Sequence, residues 1–321
     1  PPRLAAPAPA LTATVLRTAV SRPSASRPTV PPAIAAPSPA PDPGLVQRCG
    51  ERLAKIDVPA PSPVQAAVLD LAQSPAFSFP AAIALVRRDP RLATAVERMA
   101  NLEPYGGRVA AAGLTQAISR VGAAGLVVAV VEQLARPVAE PSVGRAGALL
   151  RSPWRHALAS AFLARRLAPV VRDPGEPAHA YLVALLAGIG RPLVARAIDE
   201  LERLPDPLRS GQRRLWPEPA MLEAIAAHRD AMAERLARGW CLPTPVVDGL
   251  AGPRAAVASS RQARLCRLAG GLADLEGQFV RREDADRAPE IVAIEQVRLG
   301  VDEATLVEAR RRLRSWLAAR L

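Results

Sequence analysis

Side chains able to do chemistry are sparse in this chain, with three histidines and three cysteines among 321 residues. His156 stands near the start of an apolar stretch, His228 precedes Arg229 and Asp230, and His179 follows Pro177. A histidine and an aspartate such as Asp274, in Leu272-Ala273-Asp274, are donors that can hold a metal and let it activate water. Each also has an ordinary use. His156 can hydrogen-bond a nearby backbone carbonyl, and Asp274 can pair with Arg267, Arg281 or Arg282. Asp89 and Asn101 suit a helix cap and a turn better than catalysis. Cys49, Cys241 and Cys266 form no C-x-x-C pair, which argues against a disulfide framework or zinc knuckle and suits a reducing cytoplasm. Cys241 reads as a helix end, between Trp240 and Leu242-Pro243, with no histidine placed beside it. The chain has no G-x-S-x-G, P-loop or dinucleotide-binding fingerprint. Near the end, Arg310, Arg311, Arg312 and Arg314 form a basic patch that can meet phosphates or an acidic partner, or remain a solvated face.

The elements that must carry these residues announce themselves by their starts. Ser62-Pro63, Asp89-Pro90 and Ser152-Pro153 each combine a capping side chain with proline at the first helical position. Ser78 opens another helix, with Ile83 and Val86 inward. Leu92, Val96 and Met99 then share one face at helical spacing. The Ser152 start predicts a long helix from Trp154 to about Val171. Further helices are predicted over 176–188, 191–203, 219–238, 244–251, 260–281 and 302–320. The last of these places Leu306, Leu313, Leu317 and Leu321 inward. Pro137 and Pro141 interrupt the pattern and predict a joint between two lobes, 45–150 and 151–321, packed through the helix around Val121–Val131. No fixed-period repeat is visible, which argues against a solenoid.

Composition agrees with an all-α fold. Half of the residues are hydrophobic but only 3% are aromatic, and alanine and leucine favour helices packed through small side chains. No alternating pattern bounded by hairpin signals predicts a strand. The net charge is +12, carried almost wholly by arginine, since Lys55 is the only lysine. The arginines are scattered with few aromatics between them, so a solvated surface is expected rather than nucleic-acid binding. The run Val121–Val131 is too short to cross a bilayer, and no membrane insertion is expected. Residues 1–44 are rich in Pro, Ala, Ser and Thr, with Arg3, Arg17, Arg22 and Arg27 and no acid before Asp42. Such a segment is expected to be a disordered linker to something upstream rather than a transit peptide.

An ordered set of fragments then carries a family likeness. Ile56-Asp57-Val58-Pro59 leads into the Val64–Gln73 helix. Ile83 to Leu92 reads IALVRRDPRL, and Met99-Ala100-Asn101 precedes Tyr105-Gly106. Gln116-Ala117-Ile118 and Val121-Gly122 precede an apolar helix, and Trp154-Arg155-His156 opens the second half. Ala187-Gly188-Ile189-Gly190-Arg191, then Glu223 with His228, then Gly239-Trp240-Cys241-Leu242-Pro243 complete the series. Over roughly residues 50–280 this resembles an HDOD domain, a relative of the HD metal-dependent phosphohydrolases. The resemblance implies an all-α bilobal unit with an HD-like C-terminal lobe, and bacterial signal transduction through protein contacts.

It also implies roles for positions. His156 falls at the first metal ligand of the HD pattern and Asp274 at the last, while Ala187 and Gly188 stand where the central His-Asp pair would be. Neither a methyl group nor a hydrogen atom can coordinate a metal, so no metal, cofactor or catalysis is expected. His228 matches a histidine of related members, and Arg191 keeps the basic position after Ile-Gly. Residual metal-dependent phosphohydrolysis, a nucleotide-binding regulator and a nucleic-acid-binding protein stand as alternatives. A small anion beside Arg191, such as a cyclic dinucleotide, stays open with no motif demanding it.

Overall fold

Small side chains at regular spacing let helices approach closely, and the chain folds as an all-α protein. The computed structural model describes residues 43–106, 109–172, 175–205, 213–251, 260–278 and 280–320. Among these no strand forms, and the one β-type pairing is an isolated bridge between Pro205 and Arg213. The linker expected over 1–44 lies outside the described residues, except that Pro43 and Gly44 already belong to the first helix.

The first half is built from α1 (Pro43–Ala54), α2 (Pro63–Gln73), α3 (Phe79–Val86), α4 (Pro90–Ala100) and α5 (Leu114–Val138). Their starts follow the sequence signals. Ser62 accepts from the Gln65 N–H while Gln65 accepts from the Ser62 N–H, a reciprocal cap. Asp89 accepts from the N–H groups of Arg91 and Leu92, both at 3.0 Å. Asn101 holds the following turn by accepting from the Ala111 N–H at 2.7 Å. Within α5, Gly122 has φ +65° and ψ −173°, a conformation that breaks the helix and that a side chain would strain. Beyond that break α5 runs through Pro137, where an interruption is expected from sequence. Proline near a C-terminus costs one hydrogen bond, and the buried apolar face of Leu126, Val127, Val130 and Val131 outweighs it.

The second half contains α6 (Arg145–Ala148), α7 (Pro153–Leu167), α8 (Pro177–Arg203), α9 (Glu218–Gly239), α10 (Thr244–Ala251), α11 (Arg261–Leu275), α12 (Arg282–Leu299) and α13 (Glu303–Arg320). Three departures from the sequence reading have physical causes. The helices predicted over 176–188 and 191–203 are one helix, α8, passing through Gly188, Gly190 and Pro192. Close packing on both sides keeps it continuous where local propensity signals a break. Ser152 stands at the start of α7 but in a left-handed conformation, φ 41°, and its side chain makes no cap. The helix α12 is not predicted at all, because Pro289 interrupts its pattern and only Ala288, Val292 and Glu295 are buried on it.

The core sits around α8, which packs chiefly against α7 and α9. Also against α8 and α9 lies α1, and His228 of α9 binds the Val46 carbonyl of α1 at 2.8 Å. Two buried polar clusters tie the remaining pieces to α8. Asp199 accepts from the N–H groups of Ala146 and Gly147, at 2.8 and 3.0 Å, and fixes the connection that holds α6. Glu132 of α5 accepts from the Tyr181 hydroxyl of α8 and from Arg320 of α13. Burial first, and then the Glu132 charge, hold the Tyr181 phenol well above the ordinary tyrosine range. Trp316 of α13 stacks on Phe162 of α7 with centroids 4.8 Å apart. Leu306, Leu313 and Leu317 face inward as expected, while Leu321 lies outside the described residues.

Among the described residues, two helices, Leu114–Val138 and Pro177–Arg203, are long and apolar enough to cross a membrane by length and composition. This differs from the expectation based on the short run Val121–Val131. Their apolar windows are 56% and 83% buried within the protein, so both serve as core helices here.

Candidate functional site

Helical spacing puts His156 and Ser160 on one face of α7, one turn apart. Opposite them, α11 presents Asp274, and α8 contributes Ala187, Gly188 and Arg191. These residues line one cavity of about 500 Å³, which α9 and α12 close with Arg229 and Asp284. The sequence positions singled out on α7, α8 and α11 therefore do converge.

His156 and Asp274 are the pair at its centre. His156 Nε2 lies 3.3 Å from Asp274 Oδ1, and both side chains are about nine-tenths buried. This differs from the ordinary partners expected from sequence, a backbone carbonyl for His156 and an arginine for Asp274. The reason is the register of α11, which turns Asp274 toward α7 while Arg267 reaches Glu295 at 2.8 Å and Arg281 reaches Glu283 at 2.9 Å. Satisfaction is incomplete at this wall. Among the described residues, His156 Nδ1 and Ser160 Oγ are buried without a hydrogen-bond partner, whereas Asp274 Oδ1 has the His156 contact and Arg229 Nε lies 3.4 Å from Asp230 Oδ1. Buried polar atoms of this kind cost about 1–3 kcal/mol each when left unpaired, so a cluster facing one cavity marks a place for polar occupants.

At the two positions where the resemblance expects the central pair, neither residue carries a donor side chain. A Cβ at Gly188 would lie 2.7 Å from the Ala157 Cβ and 3.0 Å from its Cα. A Cβ at Gly190 would lie 2.1 Å from the Arg229 carbonyl oxygen. Both glycines thus allow α8 to pass between α7 and α9 at close range, and no side chain fits at 188 without moving α7. Ala187 lines the cavity with a methyl group. Among the described residues, no group of three His, Cys, Asp or Glu side chains is arranged to hold a metal. One imidazole and one carboxylate without a bridging aspartate do not fit the metal centre of an HD hydrolase.

Arg191 keeps its place on the cavity wall and pairs with Asp284 at 3.1 Å. Burial lowers its affinity for the proton below the usual arginine value, while Asp284 and Asp274 act in the opposite sense. His228 does not join the cavity. Its ring is committed to the Val46 carbonyl and sits against Gly50, so it fastens α1 rather than lining a site.

The C-terminal patch is compensated. Arg310 and Arg314 meet Glu276 at 2.5 and 3.1 Å. Arg311 and Arg312 meet Glu308 at 2.7 and 2.6 Å. Those two hydrogen bonds pull the Glu308 carboxyl down to about 2.

Sequence reasoning missed Ser160, Arg229 and Asp284. Ser160 was legible, being four residues after His156 on an apolar face. Asp284 was hidden because α12 itself gave no clear pattern.

The fold recurs in solved structures. A candidate metal-dependent phosphohydrolase from Shewanella amazonensis shares it with a TM-score of 0.58 at 14% identity, over 85% of this chain and 96% of that one. An HDOD domain protein of unknown function from Geobacter sulfurreducens gives 0.55 at 15% identity, over 84% and 97%. A candidate signal transduction protein from Marinobacter aquaeolei gives 0.54 at 17% identity, over 86% and 65%. No functionally curated protein matches. Identities this low establish the shared fold alone. Residues 58–253 match the HDOD domain, a span that includes His156, Ala187 and Gly188 but stops short of Asp274. That match covers more than half of the sequence, and the chain belongs to the HDOD family.

Proposed function

We propose that this chain is a non-catalytic signal-transduction module that works in the cytoplasm through contacts with protein partners. The observation that carries the reading is the Gly188–Ala157 contact, which leaves no room for a side chain at the position where the resemblance expects a central metal ligand. Without that ligand, His156 and Asp274 hold each other in a buried pair rather than a metal that activates water. The HDOD match and the candidate signal transduction protein among the structural relatives support a signalling role.

Residual phosphohydrolysis would have to run on that pair alone. Nucleic-acid binding through the C-terminal patch is disfavoured, because its four arginines already face Glu276 and Glu308. Purified chain assayed with Mn²⁺ or Mg²⁺ on phosphomonoesters, phosphodiesters and nucleotides tests the reading. No turnover above a His156→Ala control is expected. Metal-dependent turnover abolished by His156→Ala would establish an enzyme.

A further inference from the structure

A second cavity, of about 990 Å³, opens on the opposite face of α7, where Trp154 and Leu158 line it. They stand two residues before His156 and Ser160, which is about half a turn of helix. One wall is the exposed face of α4, with Arg91, Thr94 and Arg98; the other is α5, with Glu132, Gln133 and Arg136.

The charge here is uncompensated, unlike that of the C-terminal patch. Two carboxylates line the groove and both are committed: Asp89 caps α4, and Glu132 serves Tyr181 and Arg320. Arg91, Arg98 and Arg136 are exposed. Among the described residues their guanidinium groups have no ion pair. Arg91 and Arg98 are seven residues apart on one helix face, which spaces them by about 10 Å. Trp154 adds a half-buried indole between apolar side chains.

We propose that this groove binds a nucleoside polyphosphate. Arginine forks suit phosphate oxygens, an aromatic face suits a base, and the volume falls within the small-ligand range of about 300–1,000 Å³. The phosphates lie along Arg91, Arg98 and Arg136, and the base rests on Trp154. The proposal stands apart from the scaffold reading, because it uses neither the His156–Asp274 cavity nor any catalytic step.

Calorimetric titration of the full chain with ATP, GTP, adenosine and tripolyphosphate tests it. Saturable binding of at least one nucleotide is expected, with no binding of adenosine. The double variant Arg98→Glu/Arg136→Glu should weaken the nucleotide at least about tenfold. Arg311→Glu, which alters an exposed arginine outside the groove, should leave it unchanged. Trp154→Leu should bring the nucleotide down to the affinity of tripolyphosphate. These positions on the groove are exposed or half-buried, and circular dichroism confirms that each variant is folded. Absence of saturable nucleotide binding would overturn the proposal, as would binding indifferent to the double charge reversal. Tripolyphosphate bound by the unaltered chain as tightly as either nucleotide would reduce the groove to an unselective anion surface. Arginine-dependent binding of an acidic Glu/Leu peptide, with no nucleotide bound, would make it a protein-docking surface instead.

Discussion

Gly188 limits what the cavity can hold, because it lines the wall and is the contact point of two core helices. An aspartate there would push its Cβ into Ala157 and bring a charge into a buried wall. Overpacking alone costs about 1–3 kcal/mol, and an uncompensated buried charge adds to it. Gly188→Asp is therefore expected to lower stability by about 3 kcal/mol or more in urea unfolding. A variant as stable as the parent would show that α7 and α8 can separate to admit a side chain there. That Ala187 and Gly188 stand where the resemblance expects ligands is legible in the sequence, once the Ile-Gly-Arg that follows is aligned. The tightness of packing at Gly188 is not, since it depends on Ala157 lying across from it. The His156–Asp274 contact is likewise foreshadowed only by the resemblance. Local reasoning favours arginine partners for Asp274, which the register of α11 turns elsewhere.

At the level of elements, α1 shows how a ligand candidate becomes a fastener. His228 binds the α1 backbone at Val46, and Cys49 of the same helix is fully buried. Burial pushes the Cys49 thiol up to about 12, whereas Cys241 is exposed. Thiolate is the reactive form, so native-state alkylation at mildly alkaline pH should modify Cys241 and spare Cys49. Removing the fastener with His228→Ala should let α1 open locally and raise the Cys49 labelling rate, an effect mass spectrometry of the labelled peptides can follow. Unchanged protection of Cys49 would mean that α1 is held by its apolar face alone. Elements with strong punctuation, such as the Ser62 and Asp89 caps, are readable from sequence because the cap is a local interaction. By contrast, α12 escapes because its buried face is three residues wide, and α8 is misread as two helices because its glycines and proline resemble a stop. Tertiary contacts override local preference in both.

Across the whole molecule, buried polar residues tie distant segments to the central helix. Asp199 and Glu132 each serve partners from separate parts of the chain, and α13 closes over α7 through Trp316. The all-α class follows from composition and helix starts, but these ties do not, because they join residues far apart in sequence. The molecule thus has the all-α fold of its HDOD relatives, and its cavity brings together His156 and Asp274. The central proposal is that this cavity holds no catalytic metal. Calorimetric titration of metal-stripped chain with Mn²⁺, alongside His156→Ala, addresses it directly. The account predicts no saturable binding that the substitution removes. Stoichiometric binding abolished by His156→Ala would contradict it.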